Sequence, residues 1–309
     1  MSSLGRTKTT DEDEGIKNVE IDALVILQIM KHCRQQAPQP VTGQLLGLDV
    51  DSSLQVTHSF GYVQKGMDEN EQDHGEQYQL DMMKKLREVN VDSNTVGWYQ
   101  TTHLGQFFSD TVIETQAFYQ TQIPRCILLV YDPLQARIGK PSFKALRLTP
   151  EFMTKYTESR EVNKAALNDF PSGNMFAEIP ITIHSPMIVE AFLVDWAIMD
   201  PMTTTQIEAL DVENQVFLEK NVQLLINSLQ DLAEEQNKMT MYERQAGRQD
   251  GKGGGKGKYR NMQPPKQLDT MILSQQIQNY CKQINTSAGD AFGKVFLLSN
   301  KPAGMNKAM

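Results

Sequence analysis

The chain has 309 residues, is 39% hydrophobic and carries a net charge of −8. That length suits one large or two modest domains, and the acidic balance argues against the whole chain being a nucleic-acid binder. No apolar run reaches the roughly 18 residues of a membrane helix. The three cysteines, Cys33, Cys126 and Cys281, are scattered without a Cys-x-x-Cys pair, which fits reduced thiols in the cytosol or nucleus.

Residues 1–18 read as a polar, disordered tail without the apolar centre of a secretory signal. Apolar residues at Ile21, Leu24, Val25, Leu27, Ile29 and Met30 predict a helix over 21–36, stopped by Ala37-Pro-Gln-Pro40. Strands follow over 41–50 and 54–63, joined by the turn Asp51-Ser-Ser53. The acidic stretch 66–75 reads as a loop. Tyr78, Met82 and Leu86 predict a helix over 76–89.

Asn94 to Thr101 has a period of two, with Val96, Trp98 and Gln100 expected on one face and Gly97, Tyr99 and Thr101 on the other. A helix is expected from Asp110 to Gln120. Cys126-Ile-Leu-Leu-Val-Tyr131 is a continuous apolar run, hence a buried strand, and Ser142 to Leu148 is another. Pro150 opens a short helix. One edge strand is expected over 178–183, then an apolar helix through Met199.

A long helix begins near Thr204 or Val212 and runs to Glu243. Leu218, Val222, Leu225, Leu229 and Leu232 step by four and three along it, the seam of a coiled coil, too short to stand alone. Beyond a Gly/Lys-rich stretch, Leu273, Ile277, Tyr280 and Ile284 repeat that step, and a short apolar stretch, 291–298, follows. The chain thus divides into a tail (1–18), an α/β domain (19–185), C-terminal helices (186–245), a flexible linker (246–267) and a last helical segment with a tail (268–309).

The strand Val96-Gly-Trp-Tyr-Gln100, its loop and the following helix resemble the active-site segment of the MPN (JAMM/Mov34) family. In its zinc isopeptidases the strand ends in His-x-His, because residues i and i+2 present two imidazoles to one Zn²⁺. An Asp from the next helix completes the ligands, and a Glu ahead of a Gly-x-Leu-Leu-Gly-like strand is the general base. Carried onto this chain, the imidazole positions are Gln100 and Thr102. The Asp position is Val112 or Ile113, depending on one gap in the loop, and the base position is Pro40, ahead of Gly43-Gln-Leu-Leu-Gly47. None of these suits zinc or proton transfer. The resemblance therefore implies the noncatalytic branch of the family, with no catalytic residue, no metal ligand and no cofactor.

His103 and Asp110 are read as an exposed loop imidazole and a helix-start carboxylate, since one imidazole without partners is not a metal site. Lys252, Lys256, Lys258 and Arg260, around Tyr259, are read as a solvated tether, with RNA-backbone contact as the competing reading.

Motif order narrows the branch. Gln77-Tyr-Gln79, Tyr131-Asp-Pro133, Arg147-Leu-Thr-Pro150, Lys220-Asn221, Gln276-Ile277 and Tyr280-Cys281 together resemble the h-subunit family of eukaryotic translation initiation factor three. That resemblance implies a central mixed sheet flanked by helices, followed by C-terminal helices that join a helical bundle. It implies a cytoplasmic scaffold whose partners are the second MPN subunit (f) and PCI-domain subunits, acting on the small ribosomal subunit through the complex. Noncatalytic MPN subunits of the proteasome lid or signalosome are the alternative.

Overall fold

The computed structural model describes residues 15–62, 72–137, 140, 142–161, 171, 174–199, 215–249 and 267–299. Most of the expected tail, the basic stretch with Lys252, Lys256, Lys258, Tyr259 and Arg260, any helix start at Thr204 or Val212, and residues 300–309 lie outside the described residues. Among those described, no helix is long and apolar enough to cross a membrane.

The elements run β1 (Asn18–Asp22), α1 (Ala23–Gln36), β2 (Thr42–Val50), β3 (Ser53–Gly61), α2 (Gln72–Glu88), β4 (Thr95–Thr101), α3 (Asp110–Gln122) and β5 (Ile127–Tyr131). Then come α4 (Pro133–Arg137), β6 (Phe143–Leu148), α5 (Pro150–Glu161), β7 (Phe176–Ile179), β8 (Ile181–His184) and α6 (Met187–Met199). Two long helices, α7 (Gln215–Gln249) and α8 (Gln267–Ser299), complete the described chain.

All eight strands form one mixed sheet, ordered β7-β6-β5-β4-β2-β3-β1-β8. The parallel pairs are β1 with β3, β1 with β8 and β4 with β5. β7 and β8 lie at opposite edges, yet only Pro180 separates them in sequence. Two steps of extended chain span roughly 7 Å, so the sheet curls until its edges nearly meet. Pro180 has no N–H to give a ladder, and its carbonyl instead accepts from Val19 N–H at 3.0 Å. The single edge strand expected over 178–183 is thus two strands, one on each edge.

Other expectations shift for physical reasons. The tail ends earlier than residue 18: Ile16 is buried and Lys17 N–H donates to the Ser52 carbonyl at 2.9 Å. Ile21, expected to open the first helix, lies in β1 with its side chain fully buried. α2 begins at Gln72, inside the stretch 66–75 expected as a loop. α7 holds to Gln249 and α8 starts at Gln267, so both ends of the stretch 246–267 expected as a linker are helical. The separate apolar stretch 291–298 is the end of α8, whose Gly289 and Gly293 face open space.

Burial on both faces of β5 explains its unbroken apolar run. Ile127, Leu129 and Tyr131 join a core with α1 residues Val25, Ile29 and Cys33. Leu128 and Val130 face a second core with Ile113 of α3, Phe152 of α5 and Ile272 of α8. In β4, Leu45 pairs with Gly97 but Leu46 with Thr95, leaving Val96 as the extra residue of a β-bulge. Val96 therefore joins the core of Tyr99 while Trp98 packs in the other, which corrects the strict alternation expected from the sequence.

A buried amide chain ties β4 to α3. Trp98 Nε1 donates to Gln116 Oε1 at 2.8 Å, and Gln116 Nε2 donates to the Cys126 carbonyl at 3.3 Å and to Gln120 Oε1 at 3.2 Å. Gln120 Nε2 donates in turn to the Leu148 carbonyl at 2.9 Å. Gln116→Leu keeps the volume but strands the indole N–H and a carbonyl in the core. It should lower the unfolding free energy by roughly 2–4 kcal/mol. Urea denaturation checks this, and an unchanged midpoint would contradict it.

Candidate functional site: a degenerate metal-site loop seated under a C-terminal helix

The segment where the family resemblance places zinc chemistry runs from the end of β4 through residues 102–109 to α3. Gln100 pairs with Thr42 of β2 and Val130 of β5. Pro40 precedes Thr42 by two residues, so the position matched to the family's base does lie at the correct end of β4. Thr101 is buried, and its hydroxyl accepts from Val41 N–H at 2.7 Å. Thr102 N–H donates to the Tyr131 carbonyl at 2.8 Å, extending the β4–β5 pairing.

The former ligand positions do not converge. Gln100 lines a recess with Gln106, Ser109 and Tyr280, whereas Thr102 lines a different cavity with Asp132 and Lys140. Val112 and Ile113 are both buried in the core under α3, so either alignment puts an aliphatic side chain where a carboxylate would be needed. His103 is exposed. Ser109 caps α3, accepting from Val112 N–H at 3.3 Å, and Asp110 begins the helix. Among the described residues, no three His, Cys, Asp or Glu side chains group as a metal would need.

What lies over this loop is the chain's own α8. Leu104 and Gly105 both adopt left-handed backbone, with φ of 56° and 74°. That conformation aims the Gly105 carbonyl at α8, where it accepts from Gln276 Nε2 and from Asn279 Nδ2, each at 3.1 Å. The positive φ favours glycine at 105, and a Cβ there would also displace the Gln283 and Asn279 side-chain amides. Tyr280 is fully buried against the loop. Burial pushes its phenol upward, and hydrogen bonds with Gln106 and Gln276 offset part of that rise.

Asp132, just past β5, is 5% exposed. Its Oδ1 accepts from Leu134 N–H at 3.0 Å. Burial raises its carboxyl above the usual range, while the Leu134 and Gln135 amides, the nearby His103 and the Gly105 amide pull it back.

The leucine seam is rotated from its expected position. On α7, Asn221 is buried and Leu225 and Leu232 are partly covered, while Leu218, Val222 and Leu229 remain 38%, 38% and 47% exposed. On α8, Met271, Ile272 and Tyr280 are buried, whereas Leu273, Ile277 and Ile284 are only partly so. α8 therefore serves two neighbours, α7 and the sheet domain, and a two-helix heptad reading shows only one of them. The signal in the sequence is the amides Gln276 and Asn279, which a simple apolar seam would not place on a buried face.

Comparison with known proteins bears on the chain's family. A family model described as JAB1/Mov34/MPN/PAD-1 ubiquitin protease matches residues 14–125. A second, described as the C-terminal region of eIF3h, matches residues 136–254. The chain is 35% identical to the H subunit of eukaryotic translation initiation factor 3 of Arabidopsis thaliana, over 96% of this chain and 98% of that one. It is 36% identical to the Dictyostelium discoideum H subunit over 91% of this chain and 93% of that one. For the Nematostella vectensis H subunit the identity is 30%, over 95% and 96%. With relatives aligned nearly end to end at 30–36% identity, and the second model matching its C-terminal region, the chain belongs to the H-subunit family of eukaryotic translation initiation factor 3.

Proposed function

We propose that this chain is a noncatalytic scaffold subunit of the initiation factor three complex in the cytoplasm. It supports binding of the small ribosomal subunit, mRNA recruitment, initiation and reinitiation. Its direct partners are the second MPN subunit (f) and PCI-domain subunits, and it holds no metal and no cofactor. The observation that carries the reading is the fate of the former active-site loop. Gln100, Thr102, Val112 or Ile113, and Pro40 stand at the ligand and base positions, and α8 is bonded to the Gly105 carbonyl over the same loop. A substrate peptide would have to displace a helix of the same chain.

α6 supports the assembly part of the reading. Met187, Ile188, Phe192, Val194, Trp196 and Ile198 are all at least 58% exposed. An uncovered apolar helix of this kind is what a bundle with other subunits would bury. The match to the family model of the eIF3h C-terminal region favours the initiation factor over the proteasome lid or signalosome.

The purified chain should bind no stoichiometric Zn²⁺ and cleave no ubiquitin chains. Gln100→His with Thr102→His should leave it inactive, because carboxylate ligand and general base are still missing. Elemental analysis and a di-ubiquitin cleavage assay check this. One tightly held zinc per wild-type chain, or cleavage by either protein, would overturn the reading.

A further inference from the structure

At the carboxyl ends of the parallel pair β4 and β5 lies a cavity of about 190 Å³. Crevices at the carboxyl ends of parallel strands are habitual ligand sites in α/β sheets. Three lining residues carry buried polar atoms without hydrogen-bond partners: Thr102 Oγ1 and Asp132 Oδ2, on residues 6% and 5% exposed, and Gln283 Oε1. Unpaired buried polar atoms are rare in folded proteins and call for a polar occupant. Lys140, Lys144 and Lys282 also line the cavity. Lys140 is paired with Asp290 at 3.0 Å and with Ser287 Oγ at 2.9 Å, and Lys144 donates to Asn279 Oδ1 at 3.5 Å. Lys282 is exposed on α8. Three ammonium groups therefore outnumber the two carboxylates, Asp132 and Asp290, around one opening.

The lining thus combines buried hydroxyl-recognising groups with lysines. A hydroxyl and a carboxylate suit a ligand hydroxyl, and lysines suit a phosphate. The volume is somewhat larger than the roughly 150 Å³ that holds benzene in an engineered cavity, so it admits one sugar-sized ring. We propose that this cavity binds a small phosphorylated sugar or polyol, its ring hydroxyls on Thr102 and Asp132 and its phosphate among Lys140, Lys144 and Lys282. Lys282 and Gln283 belong to α8, so the ligand bridges the sheet domain and the helix and strengthens their docking. The site is independent of the scaffold reading, since it uses neither α6 nor the assembly.

Isothermal titration of the intact chain with ribose 5-phosphate, ribose and inorganic phosphate tests this. Ribose 5-phosphate should saturate one site per chain and bind at least tenfold more tightly than either fragment. Lys282→Glu, at an exposed position, should weaken it at least tenfold. Thr102→Val removes a hydroxyl that has no partner, so it should leave the melting temperature of the free chain unchanged while weakening the ligand at least threefold. The bound ligand should also slow amide exchange over residues 276–286. No saturable binding, equal affinity for inorganic phosphate and ribose 5-phosphate, or full affinity in Lys282→Glu would overturn the proposal.

Discussion

Gly105→Val is expected to loosen α8 from the sheet domain while leaving the sheet folded. A β-branched residue at a φ of 74° is strained by roughly 1–3 kcal/mol. Its Cβ would also push on the Gln283 and Asn279 amides, weakening the Asn279 hydrogen bond to the Gly105 carbonyl, worth about 1 kcal/mol. Together these favour the undocked helix by roughly 2–4 kcal/mol, or about thirtyfold to several hundredfold in population. Hydrogen–deuterium exchange resolves the two parts. Amides around Met271 to Gln283 should exchange far faster, while those of β4 and β5 keep their protection. Unchanged exchange in α8 would show that its seat on the loop contributes little.

Phe192→Asp combined with Trp196→Asp should leave the isolated chain folded and remove it from its assembly. The two rings are 61% and 58% exposed, and they contact each other with centroids 6.0 Å apart. Exposed substitutions of this kind change stability by about 0.5 kcal/mol or less. At an interface, buried aromatic anchors contribute about 2 kcal/mol or more apiece, so losing both should weaken association by roughly a thousandfold. Thermal unfolding and co-purification of the same variant separate these effects. Normal melting with undiminished recovery of partners would show that α6 is not an interface.

How much was legible in the sequence depended on whether local patterning carried the information. β5 declared itself through Ile127 to Tyr131 because both faces are buried, and β2 and β3 through their turn at Asp51. β1 did not, because five residues next to a helix have no pattern of their own; their partners, β3 and β8, are long-range. The expectation of one edge strand over 178–183 passes over Pro180, and only the curl of the sheet reveals that the chain changes edges there. The bulge at Val96 is likewise set by pairing with Leu45 and Leu46 rather than by composition. Pro40, Gln100, Thr102 and the Val112–Ile113 pair are readable as departures from the family pattern. The helix over that loop is not. The seam logic places Leu229 inward, but α8 turns its amides to Gly105 and its apolar residues partly to the core, leaving Leu229 half exposed. Periodicity identifies a helix face; it does not say which of two neighbours that face meets.

The central claim is that this chain works as a scaffold within a multi-subunit initiation factor. Affinity purification of the tagged chain from its native cells, with the co-purified proteins identified by mass spectrometry, tests it most directly. The account predicts a stoichiometric set dominated by MPN- and PCI-domain subunits of initiation factor three, accompanied by small-subunit ribosomal proteins. Recovery of the chain by itself, or within a proteasome lid or signalosome, would contradict it.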